Sequence, residues 1–183
     1  LEEVAASGAC MNGASSIHLS IFGMHPVVRH GSEELKQRYL PRVAAGDLHV
    51  AFGVTEPDAG LDTTATRTRA VPDGAGYRIT GRKVWTSKAL ESERVLLLTR
   101  TTPAGECTKR TDGLTLFVAP LNDPAVTVRP IPKLGRNAVA SCEVTYDGLY
   151  VSASDRVGEE SRGFTYLLDG LNAERVLIAA EAL

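Results

Sequence analysis

The chain has 183 residues, a net charge of −2, 43% hydrophobic and 23% charged residues, the composition of an ordinary globular protein long enough for one or two cores. The near-zero charge argues against a general nucleic-acid or membrane-surface binder, which needs an excess of Lys and Arg. Cys10, Cys107 and Cys142 lie far apart and form no Cys-x-x-Cys pair, so they indicate neither a zinc site nor a disulfide scaffold and are expected as small buried or half-buried hydrophobes.

A first zone runs to about Gly46. Leu1 to about Gly23 is rich in small residues and predicts helix. The chain begins inside this pattern without Met and stops at Leu183 inside another helical pattern, so a piece of a longer protein is expected. Gly31-Ser32-Glu33-Glu34 has the form of a helix start. Ser32 is its cap, and the acids sit near the positive end of the helix. Leu35, Tyr39 and Leu40 give the buried face. Pro41 predicts a break and restart, and Gly46 a stop.

A second zone, about Asp47 to Val157, changes period. Leu48, Val50, Phe52 and Val54 alternate with His49, Ala51, Gly53 and Thr55, the two-residue repeat of a half-buried strand. Further strands are expected at 77–80, 82–86, 94–101, 114–119, 126–131, 142–146 and 148–151. Pro72-Asp73-Gly74, Asp112-Gly113, Asn122-Asp123-Pro124 and Asp147-Gly148 supply the turns between them. Many short strands at even spacing suggest a closed or nearly closed antiparallel sheet. A third zone opens near Gly163, where Phe164, Leu167, Leu168, Leu171 and Ile178 return to helical spacing. The fold class expected is therefore α+β: a helical N-terminal segment, an antiparallel β-barrel-like middle domain and the start of a C-terminal helical bundle. The boundaries are 1–46, 47–160 and 161–183. His18, His25, His30 and His49 lack the spacing of a metal-binding helix, so no metal is expected. With no signal peptide and no long apolar run, neither membrane insertion nor secretion is expected.

Three stretches carry more polar chemistry than the fold requires. In GVTEPDAGLD, residues 53–62, the strand ends at Thr55 and Pro57 cannot donate to a ladder. Freed amides and the Thr55 hydroxyl could face a polar planar ligand, or the stretch could be a capped turn. In GRKVWTS, residues 81–87, strand register puts Lys83, Trp85 and Ser87 on one face. An indole beside a hydroxyl suits stacking on and bonding to a flat heterocycle, although Trp85 could equally fill a barrel end. In LNAER, residues 171–175, Glu174 and Arg175 interrupt the apolar stripe where it should be buried. Such a carboxylate is a candidate general base, or half of an ion pair at a bundle edge. No Gly-x-Gly-x-x-Gly follows a strand, and no P-loop or Gly-x-Ser-x-Gly is present.

Taken together, HGSEELKQRYLP (30–41), VTEPDAGLD (54–62), GRKVWTS (81–87), PKLGR (132–136), VGEESRGF (157–164) and LNAERVLIAA (171–180) resemble the acyl-CoA dehydrogenase flavoprotein family in content, order and separation. The resemblance covers nearly the whole chain. It implies an FAD cofactor: Val54 and Thr55 at the pyrimidine edge of the isoalloxazine, Trp85 packed on the ring system, and Ser87 bonding near its reactive nitrogen and carbonyl. It implies α,β-dehydrogenation of an acyl-CoA thioester in fatty-acid β-oxidation, with electrons passed to an electron-transfer flavoprotein. Glu174 matches the position of the base in members acting on long or branched chains, and Arg175 the neighbouring arginine. In other members the base lies in a C-terminal helical domain, through which the intact protein would also form a homo-oligomer. The compartment implied is the cytoplasm or the mitochondrial matrix. An acyl-CoA oxidase, a flavin monooxygenase of the same fold and a catalytically silent scaffold are the alternatives. Three positions depart from the family pattern. Leu61 stands at a common Ser that helps bind the cofactor's pyrophosphate, Asp58 at a common Gly and Lys88 at a common Asn. Lys88 either brings positive charge near the flavin or is simply solvated.

Overall fold

The computed structural model describes the backbone of residues 1–182 and their side chains, except those of Met11, Ser16, His18, Ser20 and Glu181. His18, one of the four histidines considered for metal binding, thus lies outside the described side chains. A short α1 (Glu2–Val4) passes through a π-helical stretch, Ala5–Ala9, into α2 (Cys10–His30). Helix α3 (Glu33–Ala45) starts as its sequence predicts, with the Ser32 hydroxyl accepting from the Leu35 N–H at 3.1 Å. It stops at Gly46, whose φ of +82° suits a glycine and whose N–H reaches the carbonyls of Arg42 and Val43. Pro41 does not break it. The proline removes one intrahelical bond, while the buried Leu35 and Tyr39 hold the helix against the sheet, and packing decides.

Eight strands form one sheet: β1 (Val50–Gly53), β2 (Arg69–Asp73), β3 (Gly76–Ser87), β4 (Arg94–Arg100), β5 (Leu114–Pro120), β6 (Val126–Pro130), β7 (Ser141–Ser152) and β8 (Arg156–Val157). Their order is β6-β7-β3-β2-β4-β5-β8, with β1 on β4, and the sheet does not close. Most ladders are antiparallel. Two are not: β1 runs parallel to β4 from Val50↔Arg94 to Gly53↔Leu97, and β2 meets β4 in parallel at Arg69↔Arg100. The purely antiparallel sheet implied by the turn signals is corrected at these two joins. Strand β1 arrives from α3 rather than from a hairpin, which frees it to pair in parallel.

Two strands are longer than their turn signals suggest. Residues 77–80 and 82–86 belong to one strand, β3, as 142–146 and 148–151 belong to β7. Asp147-Gly148 is no turn. Ile79 pairs with Leu149 and Thr80 with Asp147, which leaves Gly148 as the extra residue of a bulge at φ +71°. Pro72 and Asp73 lie in β2, a strand the turn signal concealed. Pro72 pairs with Tyr77 of β3, and since β2 touches β4 at Arg69 alone, its missing N–H falls on an open edge.

Strands β4 and β5 separate two cores. Val95, Leu97, Phe117 and Ala119 join Tyr77, Ile79, Val144 and Tyr146 on one side of the sheet. Leu96, Leu98, Leu116 and Val118 face Met24, Val27, Leu35, Tyr39 and Leu167 from the helices on the other. Burial on both faces explains the unbroken apolar runs of these two strands. Helix α4 (Gly163–Ala182) packs beside α2, joined by Leu167, by His30 to Asp169 at 2.7 Å, and by the His30 ring stacked on Tyr166 at 4.1 Å. Cys142 is buried and Cys107 half-buried, but Cys10 is exposed, against expectation. Among the described residues no helix is long and apolar enough to cross a membrane.

Candidate functional site

The end of β1 is fastened to β3 by two bonds. Thr55 O accepts from the Val84 N–H at 2.9 Å, and Val54 O accepts from Lys83 Nζ at 2.9 Å. The same ammonium lies 2.8 Å from Glu56 Oε1. Glu56 also accepts from the amides of Arg67 (2.7 Å) and Thr68 (2.9 Å). This pair lies inside the protein, with Lys83 at 0% exposure and Glu56 at 6%. Burial alone would raise the Glu56 carboxyl, but the Lys83 charge and the three donated hydrogen bonds outweigh it and hold it below the usual carboxylate range. Burial pushes the Lys83 ammonium down to about 8 despite the opposing pull of Glu56, so both groups are charged at neutral pH.

Strand β3 changes register here. Lys83 pairs with Val144 and Thr86 with Cys142, so Val84 and Trp85 together face Glu143 alone. This is a bulge, and Trp85 takes a positive φ of +60° within it. Lys83, Trp85 and Ser87 consequently do not share a face. Lys83 and Thr86 point into the core, while Trp85 is 59% exposed. The alternation fails because Val84 leaves the β7 ladder to bond Thr55. A left-handed conformation costs a non-glycine residue about 1–2 kcal/mol, and such strain collects at functional sites.

Four of the six residues singled out from sequence therefore lie along one seam. Val54 and Thr55, both half-buried, end β1. Trp85 stands outward on the bulge next to Val84. Ser87, half-buried, pairs with Ser141 two residues further along and lines a small pocket with Lys133 and Arg136. Glu174 and Arg175 lie on α4. Glu174 is half-buried, whereas Arg175 is exposed and donates from Nη1 to Asn172 Oδ1 at 2.6 Å. Leu177, three residues beyond Glu174, packs on a cluster with Phe22, Phe52 of β1 and Val139, and so ties α4 to the same strand. Lys88 is not simply solvated. It is half-buried, 3.1 Å from His49 Nδ1, at the rim of a groove of about 530 Å³ between α2 and α3, and burial lowers its pKa. Leu61 is fully exposed on the turn.

Sequence reasoning passed over Glu56 and the burial of Lys83. The signal was present: Tyr77, Ile79 and Lys83 fall on inward positions of β3, and an inward lysine requires an acid nearby.

Sequence models of the acyl-CoA dehydrogenase N-terminal and middle domains match residues 1–47 and 51–149 respectively. The chain belongs to the acyl-CoA dehydrogenase family. It is 34% identical to the acyl-CoA dehydrogenase FadE26 of Mycobacterium tuberculosis over 95% of its own length and 43% of that protein's. It thus spans less than half of this relative. Among solved structures, the glutaryl-coenzyme A dehydrogenase–glutaryl-CoA complex aligns with 98% of the chain and 45% of its own, at a TM-score of 0.90 and 27% identity. The prolyl acyl carrier protein oxidase AnaB aligns with 93% of the chain and 45% of its own, at a TM-score of 0.87 and 27% identity. Acyl-CoA dehydrogenases are FAD-dependent oxidoreductases.

Proposed function

We propose that the chain carries the flavin cradle of an FAD-dependent acyl-CoA dehydrogenase. The observation that carries this reading is the seam between β1 and β3. There the Thr55 and Glu56 amides have no acceptor among the described residues, and they sit beside an outward tryptophan on a strained bulge. Two unpaired donors at the edge of a flat aromatic surface fit a heterocycle rimmed by carbonyl oxygens. Val54 and Thr55 would hold the pyrimidine edge, Trp85 would cover the ring system and the Ser87 hydroxyl would bond near its reactive end. FAD, when bound, supplies the hydride acceptor. Glu174 would take the α-proton of the acyl thioester, with Arg175 beside it on α4, and hydrogen bonds in a water-poor site would stabilise the developing enolate. An electron-transfer flavoprotein would be the acceptor, and the intact protein would be a homo-oligomer. The segments 1–46, 47–160 and 161–183 would serve as helical, flavin-binding and C-terminal domains.

The test is the visible spectrum of the full-length protein before and after anaerobic addition of acyl-CoAs of graded length. A yellow protein bleached by one length class is expected. A colourless protein that responds to none would overturn the cradle and favour a silent scaffold. The likeness to an oxidase keeps one second reading in view. Rapid reoxidation of the bleached protein by oxygen would favour it over a dehydrogenase.

A further inference from the structure

The Lys83 ammonium makes one bond more than a buried ion pair needs. Besides Glu56 it donates to the Val54 carbonyl at 2.9 Å. A trans peptide is planar, with its C=O and N–H on opposite sides. Drawing the Val54 carbonyl onto a buried ammonium therefore turns the Thr55 N–H the other way, out of the core. That N–H has no acceptor among the described residues. The next peptide is held likewise, its Thr55 carbonyl on the Val84 N–H. Glu56 is itself anchored by the Arg67 and Thr68 amides, so the ammonium cannot swing aside with its counter-ion. Hydrogen bonds in series polarise one another, and a charged donor on the carbonyl makes the N–H of the same peptide a stronger donor.

We infer that Lys83 is a positioning residue for the cofactor: through the Val54–Thr55 peptide it aims the Thr55 N–H at the flavin's pyrimidine edge and strengthens that bond most when the ring is electron-rich. The role rests on the flavin cradle proposed above. Its consequence is that Lys83, without touching the ring, favours reduced over oxidised flavin.

The experiment uses the full-length protein. Lys83→Met/Glu56→Gln removes both charges at once, so neither is left buried alone. Lys83→Gln/Glu56→Gln keeps a neutral donor near the Val54 carbonyl and carries the test if the first variant does not fold. Lys83→Arg keeps the charge. The midpoint potential of the bound flavin is measured alongside thermal unfolding. The neutral pairs should lower the preference for reduced flavin about tenfold, a midpoint ~30 mV more negative for a two-electron couple, while Lys83→Arg stays near the wild-type potential whatever its melting temperature. A flavin-loaded neutral variant with the wild-type potential overturns the inference and leaves the cradle standing. A full-length wild-type protein that binds no flavin overturns both.

Discussion

The seam between β1 and β3 and the outer half of α4 hold the two sets of candidate residues, and they are built in opposite ways. At the seam the acceptors are fastened: the Val54 and Thr55 carbonyls and the Glu56 carboxylate receive bonds from Lys83, Val84, Arg67 and Thr68, and the ion pair is out of solvent. On α4, Glu174 is half-buried, Arg175 faces solvent and Val176 is 70% exposed. Leu167, Tyr166 and Asp169 anchor the helix near its beginning. A cofactor cradle works through fixed geometry, which two strands and a buried charge can provide alone. A general base works through a dry environment, and a lone helix face does not create one. Neutralising the seam should therefore cost stability, and neutralising Glu174 should cost chemistry.

The largest effects separate the regions most sharply. In the full-length protein, Glu174→Gln should slow bleaching of the flavin by acyl-CoA by about 10²–10⁴-fold. Unchanged bleaching would remove Glu174 from the mechanism. At the seam, Lys83→Met should cost stability. It strands the Glu56 carboxylate in the core and should destabilise by about 3–5 kcal/mol in denaturant unfolding. Loss of less than 1 kcal/mol would mean that the pair is more hydrated than its burial indicates.

A pH titration of stability sharpens the seam further. The Glu56 carboxyl is depressed in the folded state, so its contribution is present above the ordinary carboxylate range and is lost as pH falls through the folded value. Glu56→Gln should flatten that acid limb; an identical limb in the variant would show that other acids set it. At Gly148 the bulge of β7 requires φ +71° and an added Cβ meets open space, so Gly148→Ala isolates the backbone term, about 1–2 kcal/mol. The smallest effect is expected at the helix anchor. Asp169→Asn weakens a part-exposed contact to His30 and should cost ~0.5–1 kcal/mol by thermal unfolding.

Much of the helix grammar was legible because it is local. Ser32 caps α3 and Gly46 ends it through groups within four residues of each other, and the apolar spacing from Phe164 onward gave α4 directly. The strand signals found six of the eight strands for the same reason. Pro41, Pro72 and Asp147-Gly148 misled, since each is a local breaker overruled by packing or pairing with a distant segment. In the candidate site, Thr55, Trp85 and Ser87 were visible as residue types, yet their facing was not.

What the sequence determined by itself, then, is the alternation of periods, the caps and the motifs that mark the family, all of which act through sterics and hydrogen bonds a few residues apart. Only the tertiary structure decided that β1 lies parallel to β4, that Lys83 turns inward onto Glu56, and that Trp85 turns outward. The reason is that a strand's facing depends on its partner. Val84 and Trp85 must share the single residue Glu143, nearly sixty positions away in the chain, while Val84 bonds Thr55, and no local rule contains that constraint.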